Sequence, residues 1–172
     1  MGLVETCLCY LVTRDPDGAV TSVLLGRKKD GFGAGYVVGL GGHVEPGETP
    51  LAATVREVAE ESSLTVAESD LTECASVTFR FPIRPQWDQH MTVFIGDSWE
   101  GQPQESDEIA PEWHPADALP LDLMWDDARY WLHRILNGEH LDAEIVFNDD
   151  CRTVRQADLT PRTRTATTAR QP

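Results

Sequence analysis

Seven of the nineteen residues from Asp30 to Glu48 are glycine, and that density excludes most regular structure for the stretch. Glycine gives up more conformational freedom on ordering than any other residue, so neither a helix nor a long central strand is expected there. DGFGAGYVVGLGGHVEPGE reads instead as a loop that brings bare backbone close to something. Directly after it the pattern reverses. Thr49 suits an N-cap, Pro50 suits the first helical position, and LAATVREVAEESS continues with helical periodicity. Leu51, Val55, Val58 and Ala59 form the expected buried stripe, while Arg56, Glu57, Glu60 and Glu61 lie off it as one polar face.

Residues 3–13 and 20–26 are apolar and β-branched on either side of DPDG, which predicts a hairpin. ECASVTFRFPI and HMTVFIGDSW read as two more strands joined by PIRPQWDQ. LDLMWDDARYWLHRILNG reads as a second helix closed at Gly138, and AEIVFN and CRTVRQ as a last hairpin. Strands and helices mix without regular βαβ alternation, which predicts an α/β protein of the α+β kind, a mixed sheet sandwiched between helices. The length suits one domain, placed at 1–159. The tail at 160–172 has almost no apolar side chains and is expected to be disordered.

The formal net charge is −15. Arg155, Arg162, Arg164 and Arg170 against Asp158 give the last eighteen residues +3, leaving −18 on residues 1–154. Such a surface repels a nucleic-acid polymer but admits a small phosphorylated molecule, because bound divalent cations reverse the local sign where carboxylates cluster. No apolar run approaches a membrane span, and the opening MGLVETCLCYLV reads as a strand and not as a secretory signal, so the expectation is a cytoplasmic protein without a membrane partner. Cys7, Cys9, Cys74 and Cys151 show no CxxC pairing and are expected to be buried reduced thiols.

Glu57, Glu60 and Glu61 fall at i, i+3 and i+4, where like charges cost a few tenths of a kcal/mol per pair on an exposed helix. An arbitrary EVAEE string is most often a solvated acidic face. Two features point elsewhere: Arg56 sits where a guanidinium can orient a carboxylate, and the preceding glycine loop can present backbone carbonyls. Converging hard oxygen ligands suit Mg²⁺, with Mn²⁺ also possible.

Gly42, Glu48, Arg56, Glu57, Val58, Glu60, Glu61 and Leu64 match the Nudix box: a glycine, five residues, a glutamate, seven residues, then REUxEExGU with U aliphatic. The one departure is Ser63 in place of glycine. KKDGFGAG, GLGGHVEPGET, DSWEGQPQESDEIAPEW and LMWDDARYW extend the likeness over residues 3–157, and in order and spacing they resemble the MutT-homologue oxidised purine nucleoside triphosphatases of vertebrate type. The resemblance implies a Nudix fold and a metal-dependent hydrolase that attacks the β-phosphorus of a modified purine nucleoside triphosphate, releasing nucleoside monophosphate and pyrophosphate. It implies divalent metal ligands at Gly42, Glu57, Glu60, Glu61 and Glu108. Glu57 is the first candidate for the general base, with Glu60 and Glu61 also eligible.

Lys28, in the strand-to-loop segment, can meet phosphate charge or stand as an ordinary solvated lysine, and by the resemblance His43, where relatives often carry lysine, meets phosphate. Phe32 and Trp125 sandwich or flank the base, and Asp126 and Asp127 are the acids available to its edge. A gapless match leaves only Asp127 of the family's adjacent acid pair, because Asp126 takes a proline position and Ala128 replaces the second acid. Val38 replaces a base-binding asparagine, so weaker discrimination of oxidised from normal purine is expected. Two other readings are a Nudix hydrolase of another nucleotide, such as ADP-ribose, a pyrimidine or a biosynthetic nucleotide, and a non-catalytic nucleotide-sensing Nudix module. The partner is a small nucleotide, with the oligomeric state left open.

Overall fold

The expected hairpin forms from β1 (Val4–Arg14) and β2 (Val20–Lys28). The Asp15 carboxylate closes its turn by accepting from the amides of Asp17 and Ala19, each at 2.9 Å. The structure is a computed structural model and describes residues 2–163. β1 is buried on both faces. Cys9 and Leu11 pack with Leu24, Leu40 and Val58 on one side, and Tyr10 and Val12 with Val23, Trp131 and Leu132 on the other. Val58 belongs to α1 (Pro50–Ser62), Trp131 and Leu132 to α2 (Ala128–Leu136), so the sheet lies between the two helices.

The remaining strands are β3 (Val37–Val38), β4 (Leu40–His43), β5 (Leu71–Arg80), β6 (Gln89–Gly96), β7 (Ile109–Pro115), β8 (Leu141–Phe147) and β9 (Val154–Pro161). The sheet runs β3-β2-β1-β6-β5-β8-β9, with β4 also on β1 and β7 also on β2. β1 with β6 and β5 with β8 are parallel; the other pairs are antiparallel. β1 and β2 pair only at one end, through Leu11–Arg14 and Val20–Leu24. Beyond that point β3 takes the end of β2 at Gly26 and Arg27, and β4 takes the start of β1 at Thr6–Cys9. Residues 37–43 therefore bridge a splay between two core strands, and the site opens there.

Several expectations need correction. The glycine-rich stretch is not all loop, because Leu40–His43 is a strand. Its glycines answer to contact: a Cβ on Gly41 would lie 2.0 Å from the Cys7 carbonyl oxygen, and one on Gly42 2.5 Å from Glu57 Oε1. The second helix begins only at Ala128. Leu121–Leu123 is a 3₁₀ turn and Met124 is extended, which aims Met124 and Trp125 at a cavity. Cys151 sits in a turn at φ 54 and does not open the last strand. β7 was not foreseen at all.

β9 continues to Pro161, past 159, and Arg162 pairs with Glu73 at 3.0 Å and Asp142 at 3.1 Å. From residue 164 onward the expected tail lies outside the described residues. All four cysteines are buried free thiols. No helix among the described residues is long and apolar enough to cross a membrane.

Candidate active site

The helix that carries the carboxylates leaves Glu60 exposed but does not present Glu57 and Glu61 to solvent. Ala53, Thr54, Glu57, Val58, Glu61 and Ser62 form the buried face of α1, while Ala59, expected in the apolar stripe, is exposed. Glu57 is 9% exposed and Glu61 7%. Isolated buried carboxylates are costly, so each must have a partner or change its charge state. Both occur here. Gly41 N–H donates to Glu61 Oε2 at 2.9 Å, and Arg56 Nη1 donates to Glu57 Oε1 at 2.9 Å. Burial still pushes the Glu61 carboxyl up to about 8, and Glu57 and Glu108 nearby add to the rise. Glu57 is raised too, first by burial, with Arg56 opposing and Glu60 and Glu108 reinforcing.

Arg56 organises the cluster. Its Nε and Nη2 form a two-pronged pair with Glu48 at 2.8 and 2.9 Å, Nη1 reaches Glu57 and Glu60, and Nη2 also donates to the His43 carbonyl at 3.0 Å. One planar guanidinium thus ties the loop at 43–48 to the helix. The Arg56 guanidinium holds the Glu48 carboxyl down at about 2. Glu48 was read from the sequence only as a motif position; its work as the clamp on Arg56 needs the loop to fold back over the helix.

Glu57, Glu60 and Glu61, with Glu108, line one end of a cavity of about 700 Å³. Lys28, Phe32, Gly42, His43, Arg56, Glu57, Glu60, Glu61, Glu108, Trp125 and Asp127 all reach it, from elements as distant in sequence as β2 and α2. Asp126 does not. Its carboxylate is taken by Arg129 Nε at 2.6 Å and by the Val154 amide at 2.7 Å, where it fastens the start of β9.

The other end of the cavity is aromatic. Phe32 stacks on Trp125 at 5.1 Å and 20°, in direct contact that leaves no room for a third ring between them; the pair can flank a base but does not sandwich one. Tyr36 stacks on Trp125 at 4.4 Å, and Trp87 meets Phe32 at 5.0 Å edge to face. Phe79, Phe81 and Phe147 complete this end. Trp131 is 1% exposed, part of the core, and donates its indole N–H to Asp127 Oδ2 at 2.9 Å. Sequence reasoning missed Trp87 and Phe147, which carry no motif and announce themselves only by meeting the other rings in space.

Among the described residues no three His, Cys, Asp or Glu side chains converge into a ready chelate. The donor set nevertheless fits a hard divalent cation. It consists of carboxylates and backbone carbonyls, its two buried carboxyls are raised by burial and by neighbouring carboxylates in the way a bound cation would relieve, and the bare Gly42 backbone lies against Glu57 where any Cβ would collide.

A family model described as the NUDIX domain matches residues 8–135. The chain is 44% identical over 115 residues to an oxidized purine nucleoside triphosphate hydrolase of Danio rerio, covering 66% of this chain and 71% of that protein. It is 38% identical over 128 residues to the protein of the same name from Mus musculus, covering 74% and 80%. In fold it is similar to the MutT protein of Bacillus halodurans, with a TM-score of 0.74, 23% identity and coverage of 91% and 97%.

Proposed function

The chain belongs to the Nudix family, and from that membership we propose that it is a metal-dependent pyrophosphohydrolase of modified purine nucleoside triphosphates, oxidised purines foremost, yielding nucleoside monophosphate and pyrophosphate. The observation that carries the reading is one cavity with a carboxylate end and an aromatic end, a match to a molecule that is polyanionic at one end and flat at the other. The Danio rerio and Mus musculus relatives are each named for oxidised purine nucleoside triphosphates, which supports the substrate class.

Nudix hydrolases require divalent cations, and Mg²⁺, with Mn²⁺ able to replace it, suits the all-oxygen donors here. Gly42 through its carbonyl, with Glu57, Glu60, Glu61 and Glu108, would hold the cations. Such ions, when bound, neutralise phosphate charge and act as Lewis acids toward phosphate oxygens. Lys28 supplies a fixed positive charge to the polyphosphate, and His43 stands at the same end of the cavity. Arg56 fixes Glu57 Oε1, leaving Oε2 to take the proton of the attacking water. Burial that raises the Glu57 carboxyl brings its basicity closer to that task. Phe32 and Trp125 flank the base, and Asp127 meets its edge.

The test is a panel of 8-oxo-dGTP, 2-hydroxy-dATP, dGTP, dATP and a pyrimidine triphosphate with Mg²⁺ or Mn²⁺, scored separately for pyrophosphate and orthophosphate. Pyrophosphate from the oxidised purines at the highest kcat/KM is expected, with a modest margin over dGTP because Val38 offers no polar contact. A preference for the pyrimidine triphosphate, or orthophosphate as the product, contradicts the assignment.

A further inference from the structure

Tyr10 has no counterpart in the motif readings, yet it occupies a singular position. It lies in the middle of β1 and is 2% exposed, on the face toward α2. Its ring edge is so close to Gly39 that a Cβ there would sit 3.0 Å from Tyr10 Cε1, and its ring meets that of Trp131 at 6.2 Å. It lines the cavity together with Asp127, whose carboxylate is near enough to act on it electrostatically.

A buried tyrosine hydroxyl normally finds a hydrogen-bond partner, because leaving it without one costs the full desolvation of the group. The Tyr10 hydroxyl makes no side-chain hydrogen bond to a described residue. Nor is it among the described polar atoms that are sealed away without a partner, which belong to His114 and Arg162. Tyr10 lines the cavity, so the cavity is where a partner for this oxygen is to be sought. Neighbouring Val38 and Met124 offer no polar side-chain group of comparable strength, and Asp127 already accepts from Trp131 with one oxygen.

We propose that Tyr10 is a specificity-determining residue: its hydroxyl, beside the Asp127 carboxyl in the cavity wall, hydrogen-bonds the polar edge of a bound purine. The phenol as donor and the carboxylate as acceptor match any base edge that sets an acceptor beside a donor, as a carbonyl next to a ring N–H does. A purine without such substituents fills the same aromatic slot but leaves the pair unsatisfied. This rests on the nucleotide reading of the cavity given above.

Binding without turnover separates the two claims. The probes are inosine 5′-monophosphate, which presents a carbonyl beside an N–H, and purine riboside 5′-monophosphate, which has the same sugar, phosphate and ring system without the carbonyl. Each is titrated against the parent protein and Tyr10→Phe by tryptophan fluorescence, with thermal melting to verify that the isosteric variant is folded. Tyr10→Phe is expected to weaken the inosine nucleotide about fivefold to tenfold and to leave the purine riboside nucleotide unchanged, the loss of one hydrogen bond of roughly ordinary strength. An unchanged inosine affinity, or equal losses on both probes, overturns the role of Tyr10 while leaving the nucleotide site standing. Failure of the parent to bind either probe overturns both.

Discussion

Arg56 does by geometry what a lysine in its place could not, because its fork engages Glu48 with two hydrogen bonds and still reaches Glu57, Glu60 and the His43 carbonyl. Arg56→Lys keeps the charge and loses the fork. It is expected to lower kcat about tenfold to a hundredfold through misplacement of Glu57, with the folded spectrum retained; steady-state kinetics beside circular dichroism checks this. Asp127 carries a second prediction. Burial raises its carboxyl from 3.8 to about 6, so the stability it contributes is fully present below 3.8 and is lost as the pH rises through 6. Asp127→Asn keeps an acceptor for the Trp131 N–H and removes the titration. The variant should therefore gain on the parent by roughly 2–3 kcal/mol between about pH 4 and pH 7, other carboxyls cancelling in the difference. Urea unfolding of both proteins across that range measures it, and parallel curves would contradict it.

Helix α1 and the first hairpin were legible because their signals are local: an N-cap, a proline at the first position, a DPDG turn and apolar periodicity. Thr49 does accept from Ala52 N–H at 3.1 Å. β4 was illegible because its glycines serve close contact with β1 and Glu57, which no propensity scale registers. The burial of Glu57 and Glu61 runs against hydrophobic patterning and follows from the close approach of β4 to α1, which the sequence pattern does not register.

The end of α1 offers a clean test. Ser63, where the family has glycine, adopts φ 62 and ψ 15, the left-handed conformation, and its amide donates to the Ala59 carbonyl at 3.0 Å. Ser63→Gly relieves that strain and should stabilise the protein by about 0.5–1 kcal/mol, raising Tm by a few degrees. At the other end of the chain, truncation after Leu159 removes the last pairing of β9 and the Arg162 ion pairs with Glu73 and Asp142. It should melt a few degrees below a protein truncated after Thr163, since partly exposed pairs contribute about 0.2–1 kcal/mol each; calorimetry of the two truncated proteins decides it.

Across the whole molecule the site is a product of topology. The splay between β1 and β2 lets residues 37–43 cross to α1, which sets the carboxylates at one end of the cavity, and the late helix start at Ala128 lets Trp125 turn into the other. The carboxylate end was readable from a spaced motif held mostly on one helix. The aromatic end was readable at Phe32 and Trp125, whereas Trp87 and Phe147 come from separate elements that only the folded sheet brings together with them. The central claim is that both ends act on one molecule, with the carboxylates driving cleavage. Product analysis of 8-oxo-dGTP with Mg²⁺ by phosphorus NMR, on the parent protein and on Glu61→Gln, tests it most directly. The parent should release 8-oxo-dGMP and pyrophosphate, and the folded variant should be slower by about a hundredfold or more. A nucleoside diphosphate with orthophosphate as product, or a Glu61→Gln protein that works at the parent rate, would contradict the account.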